Sequence, residues 1–172
     1  FRRVLFRSGN NNTILALNLN SGVLRGAGVL TAANYTLAGG EVAGNLGAGA
    51  VVVSGLVSLT GTTEATTLAI NTGGVLTIGS SERIGDATVL SISGGELALG
   101  GNSETVGTFT LNGGLLSGSG VLSAASYALQ SGSVVASLGA GVATVTGGVT
   151  TLGGTLGAVT VGINSGSLVL GA

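Results

Sequence analysis

Hydrophobic and polar residues alternate in short runs along this chain. TLAIN, VLTIG, VLSIS, ELALG, FTLN and VTVGIN each place Leu, Ile, Val or Phe at every second position, and glycine or another small residue separates one run from the next. A period of two is the signature of a strand with one buried face. The runs come in pairs joined by a small turn, as in TLAIN-TGG-VLTIG and VLSIS-GG-ELALG. Turn signals recur near Gly22, Gly40, Gly55, Gly73, Gly95, Gly114, Gly132, Gly148 and Gly166, at separations of 15 to 22 residues. That spacing predicts a β-solenoid with one coil per marker. At about 4.8 Å per coil, nine coils give a rod roughly 40 Å long.

In such coils Leu68, Ile70, Leu97, Leu99, Phe109 and Leu111 should point inward and stack on their counterparts one coil away, while Ser and Thr face water. Asn20, Asn71, Asn112 and Asn164 precede turns. They are expected to bond local backbone or, if buried, to form ladders from coil to coil.

A longer period overlies the short one. Residues 20 to 55 align without a gap on residues 112 to 147, an offset of 92, with about half the positions identical. Tyr35 matches Tyr127, and the LGAG of 46 to 49 matches that of 138 to 141. After a one-residue slip the match resumes between 69 to 79 and 162 to 172, so the long repeat sets 17 to 80 against 109 to 172. On this reading the array is incomplete at its C-terminal end.

Composition sharpens the picture. The chain has 172 residues, 44% of them hydrophobic, with 35 glycines, 6% charged residues and no proline. Phe1, Phe6, Tyr35, Phe109 and Tyr127 are the aromatic residues, so burial falls to Val, Leu, Ile and Ala, which suit a narrow interior. Disorder is excluded by the abundance of aliphatic residues and the scarcity of charge. Without Cys or His there is no disulfide, thiolate or imidazole ligand, and no metal or cofactor is expected. No apolar run approaches the length of a membrane-spanning helix.

Residues 94 to 132, GGELALGGNSETVGTFTLNGGLLSGSGVLSAASYALQSG, resemble the autotransporter-associated β-strand repeat of bacterial surface and secreted passenger proteins. GGNSETVG (100 to 107), NGG (112 to 114) and SGSGVL (117 to 122) carry most of the likeness, and weaker copies extend it back to Ile14. The resemblance implies an exported, right-handed parallel β-helix, located at the cell surface or outer membrane or outside the cell. It implies a stalk or adhesin-like segment with no catalytic residues of its own. Neighbouring repeats, with cell-surface or glycan ligands, would be its partners.

The opening FRRVLFRS stands outside every repeat and holds Arg2, Arg3 and Arg7, three of five basic residues. One possible coding sequence for it, TTCAGACGTGTGCTCTTCCGATCT, resembles the end of a sequencing adapter. Residues 1 to 8 are therefore read as non-native read-through, and residues 9 to 172 as one solenoid domain, incomplete at both ends. Without the octapeptide, Arg25 and Arg83 face six carboxylates, and the net charge moves from −1 to −4. Nucleic acid is then a poor partner.

Candidate chemistry is sparse. SSERIGDAT (80 to 88) is the richest polar cluster, with Glu104 about one coil later. Two carboxylates on adjacent coils are what hydrolysis of a polysaccharide needs, but a solvated loop with Arg83 near Glu82 or Asp86 is the simpler expectation. GAGVL (26 to 30) and LGAGA (46 to 50) lack the helix that a nucleotide fingerprint must open. TGTTEATT (60 to 67) and TVTGGVTT (144 to 151) raise an ice-binding hydroxyl array as an alternative. Low charge and the absence of proline raise a self-assembling matrix protein as another.

Overall fold

The computed structural model describes residues 10–171, and every regular element in them is a β-strand. The first coil holds β1 (Asn12–Leu19) and β2 (Val23–Leu24), and the second is β3 (Val29–Val42). The third is β4 (Asn45–Leu46) with β5 (Ala50–Leu59), the fourth β6 (Thr67–Asn71) with β7 (Val75–Ile78), and the fifth β8 (Val89–Ser93) with β9 (Glu96–Ala98). Then follow β10 (Glu104–Ser117), β11 (Val121–Val134), β12 (Ser137–Leu138) with β13 (Val142–Leu152), and β14 (Thr160–Leu170). All the strand pairings are parallel, and the strands form one continuous sheet wound into a β-solenoid of about nine coils. The reading of residues 1 to 8 lies outside the described residues.

The alternation seen in the sequence becomes a set of inward columns. On one side of the coil, Leu17, Tyr35, Val51, Leu68, Leu90, Phe109, Tyr127 and Ala143 follow one another in parallel register, and each is buried. Two residues on, Leu19, Leu37, Val53, Ile70, Ile92, Leu111, Leu129 and Val145 form the next column. A parallel in-register ladder puts equivalent side chains on the same face, so each coil covers the apolar surface of the last. The six residues expected to point inward, Leu68, Ile70, Leu97, Leu99, Phe109 and Leu111, are all buried.

Corners are made inside strands as well as between them. β3, β10 and β11 each run 14 residues and pass from one side of the coil to the next at a shift of register. Gly40 shows why glycine marks this corner. Its φ is 103°, and a Cβ there would collide with the backbone of Gly22 one coil below. Six more of the nine markers have positive φ, but in the fifth coil that conformation belongs to Gly94 rather than Gly95. Gly55 has ordinary φ, and its missing Cβ makes room for the carbonyl of Ala38.

The offset of 92 residues corresponds to five coils, and it reproduces a particular buried contact. The Tyr35 hydroxyl accepts the Ala32 N–H at 2.8 Å and shares its own hydrogen between the carbonyls of Leu30 (2.8 Å) and Gly47 (3.1 Å). Tyr127 repeats this with the N–H of Ala124 and the carbonyls of Leu122 and Ala140. The recurring LGAG is part of the same device: a Cβ at Gly49 or Gly141 would come within 2.7 Å of the Tyr35 or Tyr127 ring, respectively. Desolvation pushes both phenols above the ordinary tyrosine range, and the backbone hydrogen bonds pull the other way.

Three expectations are corrected. Asn20, Asn71, Asn112 and Asn164 are all exposed, so they form no buried ladder; the corners they occupy turn outward. Thr63, Thr88 and Thr150 are buried rather than facing water. The gapless match of 69 to 79 with 162 to 172 holds only before the turn. Leu168 pairs with Thr150 as Leu76 pairs with Val57, so the two-residue turn at Ser165 and Gly166 restores the offset of 92.

Thr150 occupies the place of Val57, since Gly132 pairs with Thr150 as Gly40 pairs with Val57. Its Oγ1 is buried without a hydrogen-bond partner. Thr150→Val replaces that hydroxyl with a methyl of similar size and should stabilise the chain by about 1–2 kcal/mol in urea unfolding. A loss of stability would mean that the hydroxyl is in use. Tyr35→Phe removes the partner of several buried backbone groups at once and should cost about 1–3 kcal/mol in the same measurement, whereas no loss would reduce the repeated tyrosine to a space-filling ring.

Candidate functional site

The polar loop between β7 and β8 is built around one unusual backbone position. Among the described residues Glu82 is the non-glycine residue with positive φ, at 55°. After this left-handed residue the N–H groups of Arg83 and Ile84 point together toward the sixth coil. Successive N–H groups arranged in this way form a nest for an anion.

Glu104 fills the nest. Its Oε2 accepts the N–H of Arg83 and that of Ile84, both at 2.9 Å, and its Oε1 lies 3.0 Å from the Arg83 nitrogen. The side chain is 1% exposed. It stands in the third inward column, where Leu30, Leu46, Thr63, Ile84, Leu122, Leu138 and Leu156 follow one another. A carboxylate thus takes a place that leucine holds elsewhere, and it replaces the missing ladder between Ile84 and the sixth coil. Desolvation pushes the Glu104 carboxyl above the ordinary carboxylate range. The hydrogen bonds from Arg83 and Ile84 lower it, neighbouring Glu82 raises it, and the Arg83 charge lowers it.

Arg83 does not make the ion pair expected of it. Its Nε donates to Ser80 Oγ at 2.6 Å, which holds the guanidinium along its own loop. Among the described residues the ion pair is Arg25 with Glu41, at 3.6 Å and largely exposed, a geometry that contributes little. Outside the nest lies an open groove of about 390 Å³ lined by Thr62, Glu64, Glu82, Arg83, Ile84, Gly85, Asp86 and Ala87. The Glu64 carboxylate lies over Gly85, where a Cβ would come within 2.6 Å of its Oε2. Glu104 faces away from this groove into the core. Its two oxygens are engaged by backbone, so it is not placed to exchange a proton with a molecule held against Glu82 or Asp86.

The threonine-rich stretches do not share one row. Thr60 donates to Glu41 Oε1, Thr62 to Asn45 Oδ1 and Thr66 to the carbonyl of Gly49, so these hydroxyls tie the loop to the coil below. Thr144 stands on the first side of its coil, and Thr150 and Thr151 stand beyond the corner, with Thr150 buried. GAGVL leads into β3, and LGAG packs against the tyrosine ring. Among the described residues no three carboxylate, Cys or His side chains converge as a metal site, and no helix is long and apolar enough to cross a membrane.

Sequence reasoning singled out Glu104 but not its partners. The left-handed turn at Glu82 carries no signal in the residue type. The tyrosine device was visible as a recurrence of Tyr and LGAG at one offset, without its hydrogen bonds.

The raised carboxyl of Glu104 makes stability depend on pH. Between the ordinary glutamate value of 4.5 and its higher folded value, the folded chain keeps a proton that the unfolded chain has lost. Its contribution is therefore full below 4.5 and fades as pH rises through the folded value. The melting temperature should rise on mild acidification from neutral pH, and Glu104→Gln should flatten that rise. An unchanged profile in the variant would show that other groups set it. Glu104→Ala leaves two N–H groups empty and should cost about 2–4 kcal/mol in urea unfolding.

The chain matches no family model, no curated protein and no solved structure.

Proposed function

We propose that the chain is a non-enzymatic structural or adhesive segment of an exported bacterial surface protein, whose coils supply length and whose outer loops meet the surroundings. The observation that carries this reading is the use made of Glu104. The buried carboxylate of the richest polar region holds one coil to the next. A polysaccharide hydrolase needs two carboxyl groups facing one substrate-sized space, and here the groove keeps Glu64, Glu82 and Asp86 while Glu104 points inward. The inward columns support the same reading, because a core filled by aliphatic stacking leaves loops and outer faces as the parts that meet a ligand.

The likeness of residues 94 to 132 to passenger-protein repeats supports export and surface location. Neighbouring repeats of the same protein, and glycans or other cell-surface ligands, are the partners that fit.

Surface location is tested with antibodies raised against the solenoid. They should label intact cells that carry the gene, and the antigen should be lost when intact cells are shaved with protease. Labelling only after lysis would overturn the proposal. Depolymerisation of acidic polysaccharides by the purified chain, abolished by Glu82→Gln, would favour the hydrolase instead.

A further inference from the structure

The face beyond β14 is uncovered among the described residues. Val161, Ile163 and Leu170 continue the inward columns of Ala143, Val145 and Leu152, yet they are 43%, 57% and 70% exposed. Their counterparts in the fourth coil, Leu68, Ile70 and Ile78, are each at most 3% exposed. The two coils differ in what lies on top. β6 and β7 are covered by β8 and β9, with Leu68 beneath Leu90, Ile70 beneath Ile92 and Leu76 beneath Leu97.

We infer that the β14 edge is a docking surface for a solenoid coil with the chemistry of residues 81 to 103, seated in parallel register. The five-coil repeat identifies the occupant. β10, β11, β13 and β14 stand one repeat beyond β1, β3, β5 and the pair β6 and β7, so the next coil in the order is of the β8 and β9 kind. Its residues fit in detail. The counterpart of Leu90 lies on Val161, that of Ile92 on Ile163 and that of Leu97 on Leu168. On the third side Leu156, bridged to Leu138 as Thr63 is to Leu46, receives the counterpart of Ile84. The incoming strand also pairs the backbone groups that an edge strand leaves open. A second copy offering its own first coil fits the order less well, because β1 corresponds to β10, which packs on β8 and β9 and not on β6 and β7.

Residues 81 to 103 are appended directly after Ala172, since Gly171 and Ala172 stand where Gly79 and Ser80 stand. Hydrogen exchange is then followed over 160 to 170. Exchange there should slow at least tenfold relative to the unextended chain, and the melting temperature should rise. A control extension with the counterparts of Leu90, Ile92 and Leu97 changed to Asn should do neither. Should the extended chain fail to fold, as judged by lost protection in β10 and β11, the same segment is supplied as a free peptide to the unaltered chain, with the Asn-substituted peptide as control. Equal exchange with and without the added coil, or equal protection by the Asn control, overturns the proposal. So does a β14 that is already protected in the unextended chain within an end-to-end dimer in sedimentation, because a second copy is then the occupant.

Discussion

Coil-on-coil register is the constraint on which everything else in this molecule depends. Each inward side chain lies on its equivalent from the coil before, and each strand satisfies its backbone through the parallel ladders to the coils on either side. Apolar burial and backbone pairing are thereby achieved by the same stacking. A shift of one residue would turn a whole column outward and lose both at once. The narrow interior follows, and with it the preference for Val, Leu, Ile and Ala over large aromatics.

Polar groups enter this interior where the ladder is interrupted. The hydroxyls of Tyr35 and Tyr127 serve backbone groups at the corners near Leu30 and Leu122. Thr88 donates to the carbonyl of Ala65 at 2.7 Å, and Thr63 accepts the N–H of Ala65 at 3.2 Å. Glu104 is the charged member of this group, and it spans the widest change of path, where the loop between β7 and β8 leaves the third side. Thr150 is the exception, a hydroxyl in a valine's place with nothing to bond.

A core of this kind bears on function through what it leaves outside. Glu104 and the buried hydroxyls serve the backbone, and the remaining carboxylates line open surface with Arg83 tied back to Ser80. The chain's properties then lie in length, in loop display and in the ability of one coil to receive another. These are the properties a surface stalk uses.

Period-two alternation and the spacing of glycines determined the solenoid, its coil number and the inward set from Leu68 to Leu111, because a strand's side chains alternate by geometry and a corner tolerates few residue types. The offset of 92 likewise announced the paired tyrosines. What only the tertiary structure decided were contacts between residues about 20 apart, which depend on the exact path of each loop. The left-handed turn at Glu82 sets the N–H groups of Arg83 and Ile84 before Glu104, and no local pattern foretells a nest that a residue 20 positions away will fill. The burial of Thr150 was hidden for a related reason. A one-residue slip between Val145 and Thr150 moves it from the place of outward Ser58 to that of inward Val57, and only the pairing with Gly132 fixes where that slip falls.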